Sequence, residues 1–537
     1  MNRRPAIFFL ISIAILPGCA ALDPWGEYSR VPASNAKPFK GDTSKDADDH
    51  AVASQPADEF TGRTLSLAEC AVIALERNPA TAASWNAIRS AAAGAGQAKA
   101  EYLPSVGFTS SARRSDIPNL DQTSSTSGLT GDLASSVAQG VISGAATGSG
   151  DLASSVAQSV VSSVSKSIAS RFTGALLGTS NAQANPGPQN RYESTFGARW
   201  LLFDGGGREA RVQAAVAEVL VAGFQHNTVL QNVVLNVEQA YYGLLAVRGF
   251  EGVAVETVKQ RGYQLRLAEA RHRVGVVSKS DVLQAESEKA AADLDLVRAK
   301  NAVYVAKGGL VSAMGLHVSA NFGVTDPPEA DYKQELAEIE ALLNEAARNR
   351  PELKTALAQI QIQRARVREA ESRFWPSLSF DTDVGWIGRS FPPDLREWGF
   401  GFVVDLPLFT GFDRTYQLRG SQAELARAVA ERETVLRGVE LEVWTAYWQI
   451  IEATEAIEAA KRFVASAEES ARVAEGEYKN GTGSIIELID AQTARTTARN
   501  QLIRARLEWR TAMVRLEQAV GRSLLPHSEA LAEGGAR

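Results

Sequence analysis

The sequence contains itself twice. Phe203 to Gly315 lies over Phe409 to Gly521 at a constant offset of 206 without a gap. Ala240-Tyr241-Tyr242 falls on Ala446-Tyr447-Trp448, Gly275 on Gly481, Asp281 on Glu487, and Ala285-Glu286 on Ala491-Gln492. An upstream block repeats at an offset of 272, placing Asn78-Pro79 beside Arg350-Pro351, and Tyr102-Leu103-Pro104-Ser105 beside Phe374-Trp375-Pro376-Ser377. Two copies of one unit must fold alike, so whatever is read in one half constrains the other. The order in each half is helix, segment after a proline, segment ending in Phe, long helix, glycine turn, long helix.

The first half opens on Ser66-Leu67-Ala68-Glu69, the pattern of a capping box, and its short helix should stop before Pro79. Arg208 to Arg273 and Arg414 to Lys479 are free of proline, poor in glycine and rich in Ala, Glu, Gln, Val and Leu. At 1.5 Å per residue each would form a helix roughly 100 Å long, far more than a globular core can use. Small residues such as Ala214, Ala215 and Ala217 alternate with polar ones and no single broad apolar stripe emerges. That pattern suits helices packed side by side with neighbours on both flanks.

Between Pro376 and Phe409 the period changes to two. Leu378, Phe380, Val384 and Trp386 share one face, while serines, Asp381 and Asp383 take the other. The partner run sets Trp398, Phe400, Phe402, Val404, Leu406 and Leu408 against Gly399, Gly401 and Asp405. Carboxylates there would be costly in a sandwich core but comfortable on a water-filled lumen. The first-half counterparts, Pro104 to Arg113 and Tyr192 to Phe203, alternate less cleanly. Segments of about ten residues have the length of a tilted membrane strand. Four strands cannot close a barrel without leaving edge amides in hydrocarbon, whereas three chains contributing four each can. Residues 114–191, dominated by Ser, Gly, Ala, Thr and Asn, hold a local duplication, Gly131 to Gln139 against Gly150 to Gln158. They read as an inserted extracellular loop or as a plug folded back into a channel.

Composition removes several function classes. Two cysteines, five histidines and three methionines, unclustered, give little support for disulfide frameworks or metal sites, and no cofactor motif stands out. A net charge of −6 from interspersed acids and bases is not the basic footprint that nucleic acid requires. No nucleophile–base–acid order supports an enzyme. Gly205-Gly206-Gly207 lacks the lysine of a phosphate loop and reads as an elbow between strand and helix. Arg3 and Arg4 ahead of the apolar run Ala6 to Leu16 form a secretion signal too short to span a bilayer. Leu16-Pro17-Gly18-Cys19 resembles the lipobox of bacterial lipoproteins, which would make Cys19 the lipidated first residue. Ala20 after it favours the outer membrane over inner-membrane retention.

Taken together, the duplicated halves, the Asn-Pro and Arg-Pro breaks, Tyr-Leu-Pro-Ser and Trp-Pro-Ser, the Phe203-Asp204-Gly205-Gly206 and Phe409-Thr410-Gly411 turns and the paired long helices resemble the TolC-like outer membrane efflux protein family, specifically its lipoprotein branch. The resemblance covers about residues 60 to 522. It implies an α+β membrane protein, a homotrimer whose twelve-stranded antiparallel β-barrel, four strands per chain, continues into a long periplasmic α-helical barrel. Its function would be a passive exit duct in the outer membrane, with a periplasmic adaptor and an inner-membrane pump as partners. The helix-hairpin tips, Val274, Gly275 and Ser278 in one half and Gly481, Thr482 and Ser484 in the other, would meet the adaptor. Glu487 and Asp490, one helical turn apart, match the family's pore-constricting acids and in a trimer would form two stacked carboxylate rings that favour cations. The family's basic residue just after the tip is replaced here by Gly483.

The resulting division is signal peptide 1–18, lipid-anchored tether 19–60, first repeat 61–316, linker 317–340, second repeat 341–522 and tail 523–537. Strands are expected over about 102–113, 192–203, 377–388 and 398–409, and long helices over about 208–273, 279–315, 414–479 and 484–520. The competing reading is a lipid-anchored structural or adhesive coiled-coil protein of the envelope, which would have no need of the alternating strands.

Overall fold

A computed structural model describes residues 32, 34–37, 62–115, 189–318, 320, 322–326, 332 and 337–522. The signal peptide, Cys19, almost all of the tether, residues 116–188 of the long loop, and the tail lie outside the described residues. The helices are α1 (Leu67–Arg77), α2 (Pro79–Ala100), α3 (Gly207–Arg273), α4 (Lys279–Ala313), α5 (Ile339–Asn349), α6 (Pro351–Ser372), α7 (Asp413–Asn480) and α8 (Ile485–Val520). The strands are β1 (Thr64–Leu65), β2 (Ser105–Ser115), β3 (Gln189–Phe203), β4 (Gly323–Val324), β5 (Ser377–Gly388) and β6 (Leu395–Asp405). The chain forms two units, one of helices and one built on the strands between Ser105–Arg199 and Phe380–Phe402.

In the helical unit α3 and α7 run for 67 and 68 residues. The Ser66 capping box starts α1: the Ser66 amide donates to Glu69 Oε2 at 2.7 Å, and the Glu69 amide donates back to Ser66 Oγ at 3.3 Å. The Ser66 amide, with the Ser66 hydroxyl donating to the same Oε2 at 2.8 Å, holds the Glu69 carboxyl below its ordinary range. Two apolar cores, one per repeat, use equivalent positions. Val237, Leu244, Leu310 and Met314 in the first correspond, 206 residues on, to Val443, Ile450, Leu516 and Val520 in the second. Burying each large aliphatic side chain contributes about 2 kcal/mol. Cys70 is fully buried in the first core, and burial pushes its thiol up to about 12.

The repeat also preserves two joints. Asn78 caps α2 by accepting from the Ala80 amide at 2.9 Å and donates to Ala313 O at 3.0 Å. Arg350, before Pro351, donates to Gln518 O at 3.1 Å and is ion-paired with Glu442 at 2.6 Å. Each joint is overlain by a left-handed glycine: a Cβ on Gly315 (φ +73) would stand 2.6 Å from Asn78 Cα, and one on Gly521 (φ +78) 3.0 Å from Arg350 N. Where strands give way to long helices, Arg208 donates to Leu201 O and Leu202 O at 2.5 and 3.0 Å, with its guanidinium 4.9 Å from the Tyr102 ring centre. Arg414 repeats the grip on Pro407 O and Arg373 O at 2.5 and 3.2 Å, 5.3 Å from the Phe374 ring.

In the strand unit the order is β2-β3-β5-β6, so β2 and β6 each have one unpaired edge among the described residues. The antiparallel register of β2 on β3 sets Ser105 opposite Arg199, Gly107 opposite Gly197, Thr109 opposite Thr195 and Ser111 opposite Glu193 on one face. Val106 then meets Ala198, and Phe108 meets Phe196, on the other face. The first pair thus alternates as the second does; its interruption, Ser110 and Ser194, is a facing pair whose hydroxyls bond at 2.9 Å. Some expected ends shift. Pro104 and Pro407 cannot donate to a ladder, so β2 begins at Ser105 rather than 102 and β6 ends at Asp405, leaving Leu406 and Leu408 beyond it, while β6 already starts at Leu395.

One carboxyl is buried between long helices. Glu238 on α3 is 8% exposed and lies near Glu517 on α8; burial, reinforced by the Glu517 charge, pushes it up to about 8. The native chain therefore holds a proton that the unfolded chain has released, so stability should fall as pH rises from about 4.5 to about 8. Glu238→Gln should flatten that slope and raise the thermal midpoint at the alkaline end, measured by melts of the detergent-solubilised protein across pH. In the same assay Gly315→Ala should cost about 2 kcal/mol or more from clash and left-handed backbone, while Gly94→Ala, with open space around it, should be neutral or stabilising.

Candidate functional site

The two hairpin turns are built on one plan. Gly275 (φ +78) and Gly481 (φ +84) reverse the chain in the left-handed conformation that a side chain would oppose. The Gly275 amide bonds His272 O at 2.9 Å, and the Gly481 amide bonds Tyr478 O at 3.2 Å. Ser278 caps α4 by accepting from the Asp281 amide at 3.3 Å. Ser484 caps α8 in the same way from Glu487 at 3.2 Å, and Glu487 Oε2 returns the bond to the Ser484 amide at 2.8 Å. Glu487 is therefore a capping residue as well as an acid, a role that its Ser-x-x-Glu spacing shows. Asp490 follows one turn later, and both carboxylates are exposed. Val274, Gly275, Ser278, Gly481, Thr482 and Ser484 are all exposed as well.

Beneath the second tip lies a small core of Tyr478, Ile485, Leu488 and Ile489, packed against Leu267 of α3 and Ala474. This seats the second hairpin on the first. The contact is locked by Arg271 of α3, whose guanidinium lies 4.6 Å from the Tyr478 ring centre and donates to Tyr478 O. Lys479 stands 5.3 Å from the Tyr263 ring and pairs with Glu475 at 2.6 Å. Further along, buried Arg261 donates to Thr493 Oγ1 at 2.9 Å and reaches Glu288 at 3.4 Å. Sequence reading missed Arg271 and Tyr478, because their partnership joins residues 207 apart and no motif announces it. Gly483 offers no side chain at this turn, and Arg271 supplies a cation to it from the other hairpin.

Among the described residues no group of His, Cys, Asp and Glu could hold a metal ion, and no helix is long and apolar enough to cross a membrane. Paired long-helix hairpins, duplicated in one chain and accompanied by strands with one apolar and one polar face, define a subunit of an envelope channel. The outer membrane efflux protein model matches residues 155–316 and 342–522. The chain belongs to that family, whose members are channel proteins of the outer membrane.

Relatives agree. The protein is 27% identical over 328 residues to protein CyaE of Bordetella pertussis, covering 60% of this chain and 69% of that one. It is 26% identical over 341 residues to the probable efflux pump outer membrane protein TtgC of Pseudomonas putida, covering 62% and 70%. Among solved structures, the outer membrane protein VceC of Vibrio cholerae superposes with a TM-score of 0.65 at 17% identity, over 85% of this chain and 96% of that one. The outer-membrane channel OprN gives 0.67 at 16%, over 90% and 99%.

Replacing Arg271 by Ala should free the second tip from the first. The expected result is faster hydrogen exchange in the backbone around Tyr478 and Gly481 with the core near Leu244 unchanged, read by mass spectrometry.

Proposed function

We propose that three copies of this chain close into a lipid-anchored exit duct, passively passing substrates that an inner-membrane pump and a periplasmic adaptor deliver. The observation that carries the reading is the four-stranded sheet with two open edges and an exposed apolar face. Unpaired edge amides are tolerable in hydrocarbon only if copies of the sheet pair edge to edge, and the apolar face, with Phe108, Phe196, Phe400 and Phe402, then meets lipid. The long helices support the same closure. Tyr304 and Val305 on α4, and Leu441, Trp444 and Trp448 on α7, are exposed in the single chain and offer different faces for neighbouring copies.

In this assembly the exposed tip residues, Val274, Gly275 and Ser278 with Gly481, Thr482 and Ser484, contact the adaptor. The relative from Pseudomonas putida, named as an efflux pump outer membrane protein, supports a pump as a partner class. Glu487 and Asp490 form the periplasmic constriction, and Cys19 carries the lipid that holds the chain at the outer membrane. Work is done by the pump, and the duct adds no chemistry.

Single-channel conductance in planar bilayers tests the constriction. Glu487→Ala with Asp490→Ala should raise conductance and reduce cation preference. Glu487→Gln separates the roles, because glutamine can keep the cap on Ser484 while removing the charge: it should lower cation preference with little change in stability. A variant that conducts identically to the wild type would place the constriction elsewhere, and a wild type that never inserts would overturn the duct.

A further inference from the structure

Charges on the polar face of the sheet are not distributed evenly, and the register shows which of them are compensated. Arg199 on β3 stands opposite Ser105, and on its other side its Nε meets Asp381 Oδ1 of β5 at 3.2 Å. Such a pair presents a small dipole rather than a charge. Two residues along β5, on the same face, Asp383 has a different setting. Gly197, two residues from Arg199 along β3, lies opposite Gly107 on β2. On the β6 side, a Cβ placed on Gly399 would stand 3.2 Å from Asp383 Oδ1. Asp383 is exposed, and no ion pair engages it among the described residues. Glycine neighbours supply no side chain to cover or bond its carboxylate.

The remaining charges on this face lie in other rows. Arg191 and Glu193 pair at 3.3 Å, and Arg113 stands opposite Arg191. Glu397 and Asp405, two and six residues along β6 from Gly399, have the same sign as Asp383. The apolar face carries Phe380 and Phe402 in contact at 5.2 Å, so the charged rows share the water side.

We propose that Asp383 forms an uncompensated anionic band in the strand wall and that Arg199 sets the strength of this band by masking Asp381. The proposal rests on the closed-barrel reading, in which this face lines a water-filled passage. Three copies then place three open carboxylates at one level, favouring cations and repelling anions among passing ions and substrates. Arg199 acts as a counterweight: it removes the Asp381 charge from the field that a passing ion meets. The effect is confined near the wall, because charges in water are screened over about 10 Å at 0.1 M salt.

Opposite changes are expected from two substitutions on neighbouring rows. Reversal potentials across a potassium chloride gradient at low ionic strength give the cation-to-anion permeability ratio of single channels. The variants are made in the Glu487→Ala, Asp490→Ala background, so that the acids at the hairpin tip do not mask the strands. Asp383→Asn should lower the ratio by roughly two-fold and Arg199→Gln should raise it by a similar factor. Adding Asp381→Asn to Arg199→Gln should abolish the rise. Asp383→Cys offers an independent route: modification by a cationic methanethiosulfonate should lower the ratio, and modification by an anionic one should raise it. Conducting channels whose ratio is unmoved, or moves in the same direction for both Asp383→Asn and Arg199→Gln, would overturn the band and leave the barrel standing. A parent protein without conductance would overturn the barrel and the band with it.

Discussion

A helix of about 100 Å has no globular core to bury it, so its stability must come from neighbours along its whole length. The rest of the helical unit follows from that constraint. Small residues let α3, α7 and α8 approach neighbours closely on more than one flank, while α4 packs along α3. The apolar residues gather in discrete cores rather than one continuous mass. The two largest, around Leu244 and around Ile450, sit at matching positions of the repeats, where the broken helices α1–α2 and α5–α6 cover the long ones. Between cores, polar locks hold the seams, as in Arg261 with Thr493 and Arg499 with Glu468 at 2.6 Å.

The duplication shows which interactions the architecture needs and which one half can vary. Both halves keep the arginine grip at the entry to the long helix, the left-handed glycine over the helix break, and the serine cap after the tip. They differ where chemistry is added. Asn78 bonds only backbone at its joint, whereas Arg350 brings a charge that Glu442 answers. The left-handed entry into α3 is Gly206, while the equivalent place before α7 is Phe412, at φ +66, a conformation costing a bulky residue about 1 to 2 kcal/mol. Its ring stands edge-on to Phe409 at 5.7 Å, a contact that offsets part of that cost. At the tips, Asp281 and Glu487 occupy equivalent capping positions, yet only the second is followed by Asp490 one turn on.

Sequence by itself determined the elements and their order. Proline placement, capping serines and the change of period from helical to two-residue spacing are local properties, and the repeat doubled the weight of each. It also placed the two turns and their acids, since glycine conformation and Ser-x-x-Glu spacing act within a few residues. Tertiary structure alone decided the pairings across long separations. The partnership of Arg271 with Tyr478, the neutralisation of Asp381 by Arg199, the isolation of Asp383 among glycines and the burial of Glu238 beside Glu517 depend on register and packing between segments remote in the chain. A charge has the same symbol in the sequence whether it is paired, open to water or buried; only the groups brought within a few ångströms of it settle its energy.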